Sequence, residues 1–292
     1  MSTVSPPVGI ALTVLGSGGP MHGGGRGSAA YLLRLPEARP LVVDMGGDTP
    51  HALARAGLCP GEVGTLLISH LHPDHVSGLP DFVWGELTAD RSAPLLVLGP
   101  PAAEGFPDME AFWQRLFGPQ GAFPFLSSLV DNPPFPLTVS VARQRRLSLG
   151  ADGQVDIAVY PVHHGRAPTL AFRIDAAGVS VVLAGDQVMR DPAFVNFARG
   201  AELMVAHMVV SGKAAGKPLA DVVCLPEDIG RLATLAGVQH LVLSHLMLDP
   251  GHAGRDSALW SLAALEEALA DVRAHFRGKV SLAEDLAVYR VA

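Results

Sequence analysis

Four potential metal ligands within six residues constrain this chain more than any other feature of its sequence. His70 and His72 follow residues 65–69, an apolar run that predicts a buried strand. Because side chains two positions apart on extended backbone project to the same side, both imidazoles can face one ion. Asp74 and His75 come after a bend and can face a second ion. Neutral imidazole and carboxylate suit zinc, iron or manganese, so the segment predicts a metal site.

The alternative for this segment is a chance cluster on a solvated loop. Histidine and aspartate side chains are costly to bury without partners. A dense group of them directly after an apolar strand therefore favours metal ligands over ordinary packing.

The composition indicates a globular chain with no electrostatic attraction to nucleic acid. Hydrophobic residues make up 49% of the sequence and charged residues 17%, which allows a sizeable core. The formal net charge is -7, and no stretch is rich in lysine and arginine. We therefore expect a small-molecule substrate and disfavour a nucleic-acid partner.

Nothing in the sequence predicts a membrane or secretory location. Cys59 and Cys224 are the two cysteines and lie far apart, so we expect no disulfide framework. No apolar stretch reaches the roughly 18 residues that span a bilayer, and the start of the chain lacks a signal-peptide pattern. We expect a cytoplasmic protein with no membrane partner.

Short strands alternating with helices predict one α/β domain over residues 1–292. Strand candidates include residues 10–15, 155–162 and 241–244, which are rich in aliphatic side chains. The clearest helix candidate is 257–276, where apolar residues recur at helical spacing. No repeat or linker divides the chain.

Residues 100–136 stand apart because they are unusually rich in aromatic side chains punctuated by proline and glycine. The aromatic residues are Phe106, Phe112, Trp113, Phe117, Phe123, Phe125 and Phe135. The segment fits a lid or wall over the site, a homodimer contact, or ordinary core packing. The sequence leaves these three alternatives open.

The segment His70-Leu-His72-Pro-Asp74-His75 after an apolar strand resembles the metallo-β-lactamase superfamily of hydrolases. Later motifs follow in the same order as in that superfamily: Pro161-Val-His-His164, Ala184-Gly-Asp186 and Leu243-Ser-His245. The resemblance covers nearly the whole chain. It implies a four-layer αββα sandwich with two metal ions at one edge of its two sheets.

The same resemblance implies a complete ligand set for two divalent ions, with zinc expected and manganese or iron as alternatives. The first ion would take His70, His72 and His164, the second Asp74, His75 and His245, with Asp186 bridging them and Asp44 supporting the site. His163 competes with His164, but the family's valine two residues before the ligand favours His164. The other histidines that match no ligand position are His22, His51, His240, His252 and His275.

Two ions about 3.5–4 Å apart can share a water and lower its pKa toward neutral. The expected chemistry is therefore hydrolysis by a metal-bridging hydroxide, without a serine or cysteine nucleophile. We assign Asp74, besides its place as a ligand, and His207 as the candidate catalytic residues.

Several motifs resemble the ribonuclease Z and arylsulfatase-like branch of the superfamily. They are Gly16-Ser-Gly-Gly-Pro20, Arg26-Gly-Ser-Ala-Ala-Tyr-Leu-Leu33 and Leu170-Ala-Phe-Arg-Ile174. The tRNA-processing enzymes of this branch carry His-Glu-Ala-Thr where this chain has Ala206-His207-Met208-Val209, and a later His-Ser-Thr motif is absent. His207 then fits either a general acid or a packed histidine at a strand end.

On this basis we expect hydrolysis of a small ester: a phosphate ester, a sulfate ester or a lactone. The alternative is a phosphodiesterase or ribonuclease Z-like nuclease acting on RNA ends. A diiron redox protein is a weaker alternative, because no flavin-binding partner domain follows Asp186.

Overall fold

The computed structural model describes residues 9–21, 23–143, 146–150, 153–248 and 257–292. His22 and His252, two of the histidines that match no ligand position, lie outside these described residues.

The described residues form two seven-stranded mixed sheets at the centre of the molecule. In spatial order, the first sheet contains β14 (Val288–Val291), β1 (Ile10–Gly16), β2 (Ala30–Arg34), β3 (Leu41–Val43), β4 (Thr65–Leu67), β5 (Leu95–Gly99) and β6 (Leu137–Val141). The second contains β13 (Lys279–Leu282), β12 (His240–Ser244), β11 (Leu203–His207), β10 (Val179–Leu183), β9 (Ala167–Ala176), β8 (Val155–His164) and β7 (Arg146–Leu149). Strands β3 to β6 run parallel to one another, as do β10 to β13.

Helices cover the outer faces of both sheets. They are α1 (Thr49–Arg55), α2 (Pro73–Val76), α3 (Leu79–Thr88), α4 (Met109–Phe117), α5 (Ser128–Asp131), α6 (Pro192–Phe197), α7 (Pro226–Ala236), α8 (Ser257–Trp260) and α9 (Leu262–His275). Short 3₁₀ turns occur at Gly23–Gly25, Pro124–Leu126, Gly212–Ala214 and Pro218–Asp221. Among the described helices, none is long and apolar enough to cross a membrane.

The helix predicted over residues 257–276 is two helices in the structure. Ser261 separates them, and its hydroxyl accepts a hydrogen bond from the backbone N–H of Ala264 at 3.1 Å. Serine favours this N-cap position because its side chain satisfies an N–H that has no partner within the helix. The apolar periodicity alone did not reveal this break.

Alternating side chains on the strands separate the layers. Tyr31 and Leu33 on β2 point into the cluster between the two sheets, whereas Leu32 points to the helices outside. A second outer cluster joins the other sheet to α6, α7 and α9 through residues such as Phe194 and Val272. Full burial of such a side chain contributes about 1.5–3 kcal/mol. The predicted four-layer αββα sandwich is confirmed by these clusters.

Residues 100–136 combine core packing with aromatic side chains outside the core. Trp113, Phe117 and Phe135 are buried against the first sheet. Phe125 is 70% exposed, and Phe106 lies beside the ring of His72. Most of the aromatic residues that drew attention in the sequence therefore stabilise the fold.

Candidate metal centre

The loops after β3 and β4 carry one half of the candidate metal centre. These parallel strands end at the same edge of the first sheet, which brings Asp44 next to residues 69–75. The Asp44 carboxylate accepts hydrogen bonds from the backbone N–H and the hydroxyl of Ser69, at 2.7 and 2.8 Å. It also lies 2.8 Å from Nδ1 of His75. Asp44 therefore fixes both ends of the loop that carries the histidine motif.

Strand ends of the second sheet carry the other half. His164 is the last residue of β8, Asp186 follows β10, and His245 follows β12. His164 is buried, whereas the competing His163 is exposed. Neighbouring residues on a strand point to opposite faces, so only one of the two histidines reaches the centre.

Three nitrogen atoms and one carboxylate oxygen meet at the first position. Nδ1 of His72 lies 2.9 Å from Nε2 of His70 and 3.4 Å from Nε2 of His164. Oδ2 of Asp186 lies 3.5 Å from Nε2 of His164 and 3.9 Å from Nε2 of His70. These four groups surround one point.

The second position has the same arrangement with a different donor set. Oδ2 of Asp74 lies 3.2 Å from Nε2 of His245 and 3.5 Å from Nε2 of His75. The two imidazole nitrogens are 3.3 Å apart. The same Oδ2 of Asp186 lies 3.6 Å from His245 and 3.8 Å from His75, so this oxygen is shared by both positions.

This chemistry fits two metal ions. Zn–N bonds of about 2.0–2.1 Å in a tetrahedral site place ligand atoms about 3.3 Å apart, close to the separations seen here. The outward nitrogens of three imidazoles already have partners: Ser69 Oγ for His70, Asp44 for His75 and Val222 O for His164. Such outer contacts orient the inward nitrogen toward an ion. The sequence-derived ligand set is thus brought together in space.

Burial and charge together set the titration of the centre. Burial lowers the pKa of His70 well below its ordinary value. Burial also lowers the pKa of His75, but the surrounding carboxylates, Asp44 first, outweigh it and raise the pKa to about 9. Burial raises the pKa of Asp186, but the imidazoles around it, His245 first, hold that pKa well below its usual range. The shared carboxylate is therefore an anion.

Two residues of the centre have left-handed backbone although they are not glycine. Asp44 has φ 63° and His245 has φ 57°. A conformation of this kind costs on the order of 1–3 kcal/mol and persists where surrounding contacts over-determine it. The turn directs each side chain back toward the site at the end of its strand.

His207 lies behind the shared carboxylate and is almost completely buried. Its Nδ1 is 2.5 Å from Oδ1 of Asp186, the oxygen that faces away from the two metal positions. Its Nε2 is 2.8 Å from the hydroxyl of Tyr31, which in turn is 2.8 Å from Oγ of Ser244. The sequence did not reveal Tyr31 or Ser244 as partners.

These contacts fix the proton on the imidazole. Burial lowers the pKa of His207, so the ring is neutral and carries one N–H. Because the Asp186 carboxylate only accepts hydrogen bonds, Nδ1–H donates to it, while Nε2 lies against the Tyr31 hydroxyl. Both ring nitrogens have buried protein partners, so neither faces a substrate, and this geometry does not favour the general-acid hypothesis for His207.

The glycine-rich turn after β1 packs directly against the centre. A Cβ atom on Gly19 would lie 2.5 Å from Cε1 of His245, so only glycine fits there. Asp285 anchors this loop by accepting hydrogen bonds from the backbone N–H groups of Ser17 and Gly27 at 2.8 and 2.7 Å. The glycine run in the sequence marked the turn, but nothing in it indicated Asp285.

Comparison with known proteins extends these observations over the chain. A family model described as Anti-Pycsar protein Apyc1 matches residues 10–105. Ribonuclease Z of Mycobacterium marinum (strain ATCC BAA-535 / M) is 30% identical over 288 residues, which cover 95% of this chain and 97% of that protein. Ribonuclease Z of Mycobacterium sp. (strain KMS) is 32% identical over 256 residues, which cover 83% and 86%.

Solved structures share the fold across the same length. The metallo-beta-lactamase fold protein YhfI from Bacillus subtilis superposes with a TM-score of 0.71 at 19% identity, covering 96% of this chain and 98% of its own. Human tRNase Z, short form (ELAC1), gives a TM-score of 0.66 at 20% identity, covering 97% and 99%. The fold inferred from the histidine motif is therefore confirmed.

The prediction of a small-molecule substrate without a nucleic-acid partner is wrong. The two relatives named above, which cover 95% and 83% of this chain, are ribonucleases Z. The error came from using the net charge of -7 as a guide to the partner. Net charge sums the entire surface, whereas a nuclease needs positive charge only where the phosphate binds, and a metal site can supply it there.

Sequence, fold and site lead to one assignment. The relatives match at up to 32% identity, the two-sheet sandwich is shared, and the seven predicted ligands converge on two adjacent positions. The chain therefore belongs to the ribonuclease Z family of the metallo-β-lactamase superfamily and is a metal-dependent hydrolase of ester bonds.

Proposed function

We propose that this chain cleaves phosphodiester bonds of RNA as a ribonuclease Z-type processing enzyme. The observation that carries the proposal is the match to ribonuclease Z over 95% of the chain, together with a complete candidate ligand set. Loss of a ligand would instead indicate a protein that binds without catalysis. All seven ligand positions carry a histidine or an aspartate.

Two divalent ions, with zinc expected and manganese or iron as alternatives, are assigned to the cluster. His70, His72 and His164 would hold the first ion, Asp74, His75 and His245 the second, and Asp186 would bridge them. When bound, such a pair supplies Lewis-acid polarisation of a phosphoryl oxygen and an activated water. The short separations among the inward nitrogen atoms support this assignment.

Asp74 remains a candidate catalytic residue as well as a ligand. Its side chain is 9% exposed. Burial raises the pKa of Asp74, but the hydrogen bond of His245 and the charges of His75 and His245 outweigh burial and lower it. An ionised carboxylate at this position can accept a hydrogen bond from a water and orient that water for attack.

His207 is proposed as a positioning residue instead of a general acid. Its Nδ1–H donates to Asp186, and this contact holds the shared oxygen of that carboxylate between the two metal positions. Tyr31 supports the imidazole from the other side. The relay is fully buried, so it acts on the metal ligand and makes no contact with substrate.

The proposal is tested with a precursor tRNA that carries a 3′ trailer. Purified protein loaded with zinc or manganese should release the trailer by one cut at its boundary, mapped by sequencing the RNA ends. Asp186→Asn should abolish the cut, because it removes the bridging charge. The RNA proposal fails if the loaded protein hydrolyses a chromogenic phosphodiester but leaves this precursor and unstructured RNA intact at low salt, where phosphate contacts are strongest.

A further inference from the structure

Phe106 is an aromatic side chain that the hydrophobic core does not use. It is half-buried, and within the described part of the chain it belongs to none of the hydrophobic clusters. Its ring centroid lies 5.8 Å from that of His72, with an angle of 56° between the ring planes. The phenyl ring therefore lies at the mouth of the candidate metal centre, on the side of the first metal position.

A closed turn presents this ring. The backbone N–H groups of Ala103 and Phe106 each donate to the carbonyl of the other residue, at 3.1 and 2.9 Å. Gly105 between them has φ 81°, which is a left-handed conformation that glycine adopts without strain. The turn is fixed by its own backbone, so the position of Phe106 does not depend on packing in the core.

Arg166 approaches the same mouth from the other sheet. It comes two residues after His164, in the turn between β8 and β9, and its side chain is 74% exposed. Its guanidinium lies 3.5 Å from Oε1 of Glu104, which belongs to the Phe106 turn and is 90% exposed. An ion pair this exposed is weak, so the guanidinium can exchange Glu104 for a phosphate.

We propose that Phe106 and Arg166 form a subsite for the nucleotide next to the scissile phosphate. Phe106 stacks on the base of that nucleotide, and Arg166 binds the phosphate on the other side of it, away from the cleaved bond. Single-stranded RNA is recognised by this combination, because every base offers a flat face and every linkage an anionic oxygen. The subsite rests on the proposed RNA cleavage and names where that substrate is held.

If Phe106 only shielded His72 from water, the site would tolerate substitutions that base stacking does not. Any apolar residue of similar size would shield His72 from water, so leucine would replace phenylalanine without loss. Stacking on a base requires an aromatic plane. Phe106→Leu and Phe106→Tyr therefore separate the two roles.

The test is a cycle of enzyme and RNA variants on the metal-loaded protein. With intact RNA, Phe106→Ala and Phe106→Leu should lower kcat/KM by about 5- to 100-fold, while Phe106→Tyr should stay close to wild type. An abasic site is then placed in the RNA on either side of the cleaved bond in turn. When it replaces the nucleotide that Phe106 contacts, kcat/KM of wild type should fall by a similar factor. With that abasic RNA, Phe106→Ala should cause no further loss.

Binding of the cleaved RNA gives a second measurement that does not depend on turnover. A 2-aminopurine base is placed at each of the two new RNA ends in turn. At the end that occupies the subsite, its fluorescence should be quenched by wild type and by Phe106→Tyr, but not by Phe106→Leu. Arg166→Ala should weaken this binding at low salt more than at high salt, because it removes a phosphate contact.

Two matched controls lie away from the site. Phe125→Ala removes a more exposed phenylalanine of the same segment, which contacts Trp84. Arg231→Ala removes an exposed arginine paired with Glu227 on α7. Neither should alter kcat/KM.

Failure of the subsite and failure of the proposed function give different experimental results. If wild type cleaves no RNA, the proposed function fails and the subsite falls with it. If wild type cleaves RNA but the losses from Phe106→Ala and from the abasic site multiply, or leucine matches tyrosine, the subsite alone is overturned.

Discussion

At the scale of single residues, the choice between the adjacent His163 and His164 rests on a sequence pattern and on the alternation of side chains along a strand. The valine two positions earlier favoured His164 over His163, and the structure buries His164 within reach of His72 while leaving His163 exposed. Strand alternation is local, so sequence carries this information. The partners of His207 are different, because Tyr31 lies 176 positions away and only the tertiary fold brings it near.

The adjacent His163 and His164 provide a mutant and its matched control. His164→Ala should remove one of three imidazoles from the first position, so that the protein retains about one ion per chain and loses turnover. His163→Ala should retain both ions and near-normal activity, since its side chain is exposed. Elemental analysis of both proteins after dialysis measures this difference. The reverse pattern would show that the wrong histidine was assigned.

His207→Gln tests the buried relay. Loss of the imidazole leaves Oδ1 of Asp186 without its donor, so the shared carboxylate can rotate. Removal of an outer partner of this kind typically lowers metal affinity or activity by about 10- to 100-fold. We expect weaker zinc binding in chelator competition and equal rate losses for phosphodiesters with good and poor leaving groups.

A general acid would behave differently in the same experiment. Its removal would slow substrates with poor leaving groups by about 10²–10⁴-fold and spare activated aryl esters. Unchanged zinc affinity with that selective loss would restore the general-acid hypothesis for His207. Tyr31→Phe should give a smaller change in zinc affinity than His207→Gln, because Tyr31 acts one contact further away.

At the scale of elements, the ends of strands determine the site. Asp44, Asp186 and His245 each follow a parallel strand, and such strands deliver their carboxyl ends to one edge of a sheet. The apolar run at residues 241–244 predicted the strand before His245 and therefore this edge of the second sheet. The anchoring of the glycine-rich loop by Asp285 was not predictable, because a carboxylate has no periodicity that signals its partner.

Gly19→Ala tests how closely that loop approaches the centre. A Cβ atom 2.5 Å from the His245 ring must displace either the loop or the imidazole, so the second ion should bind more weakly than the first. Stepwise zinc titration followed by calorimetry measures both affinities. Gly85→Ala is the control, since beyond its own helix backbone and chain neighbours no atom lies within 4 Å of its added Cβ. Identical titrations for Gly19→Ala and wild type would contradict this packing.

At the scale of the whole molecule, the sandwich was predictable and the partner was not. The order of ligand motifs along the chain implied the αββα architecture, which the two sheets and their outer helices confirm. The net charge of -7 gave the wrong partner, because it averages over surfaces that a substrate never touches. The residues with metal-ligating side chains at one sheet edge, a local feature, predicted the hydrolytic chemistry.

Metal loading should release protons from the entire centre. In the metal-free protein the carboxylates around His75 raise its pKa to about 9, so the imidazole is protonated at pH 7.5. An ion at Nε2 requires the neutral ring, and affinity should therefore rise with pH until about 9. Calorimetry in buffers with different ionisation enthalpies should show release of about one proton or more per chain. Binding enthalpies that do not depend on the buffer would exclude this linkage.

The most direct test of a paired-metal RNA hydrolase is a stoichiometric titration of metal-free protein with zinc or manganese while precursor tRNA cleavage is followed. The ligand set predicts that cleavage rises with added metal and reaches its plateau near two ions per chain. Asp186→Asn should remain inactive throughout the titration. Full cleavage in the presence of excess chelator, or a plateau at one ion per chain, would contradict the account.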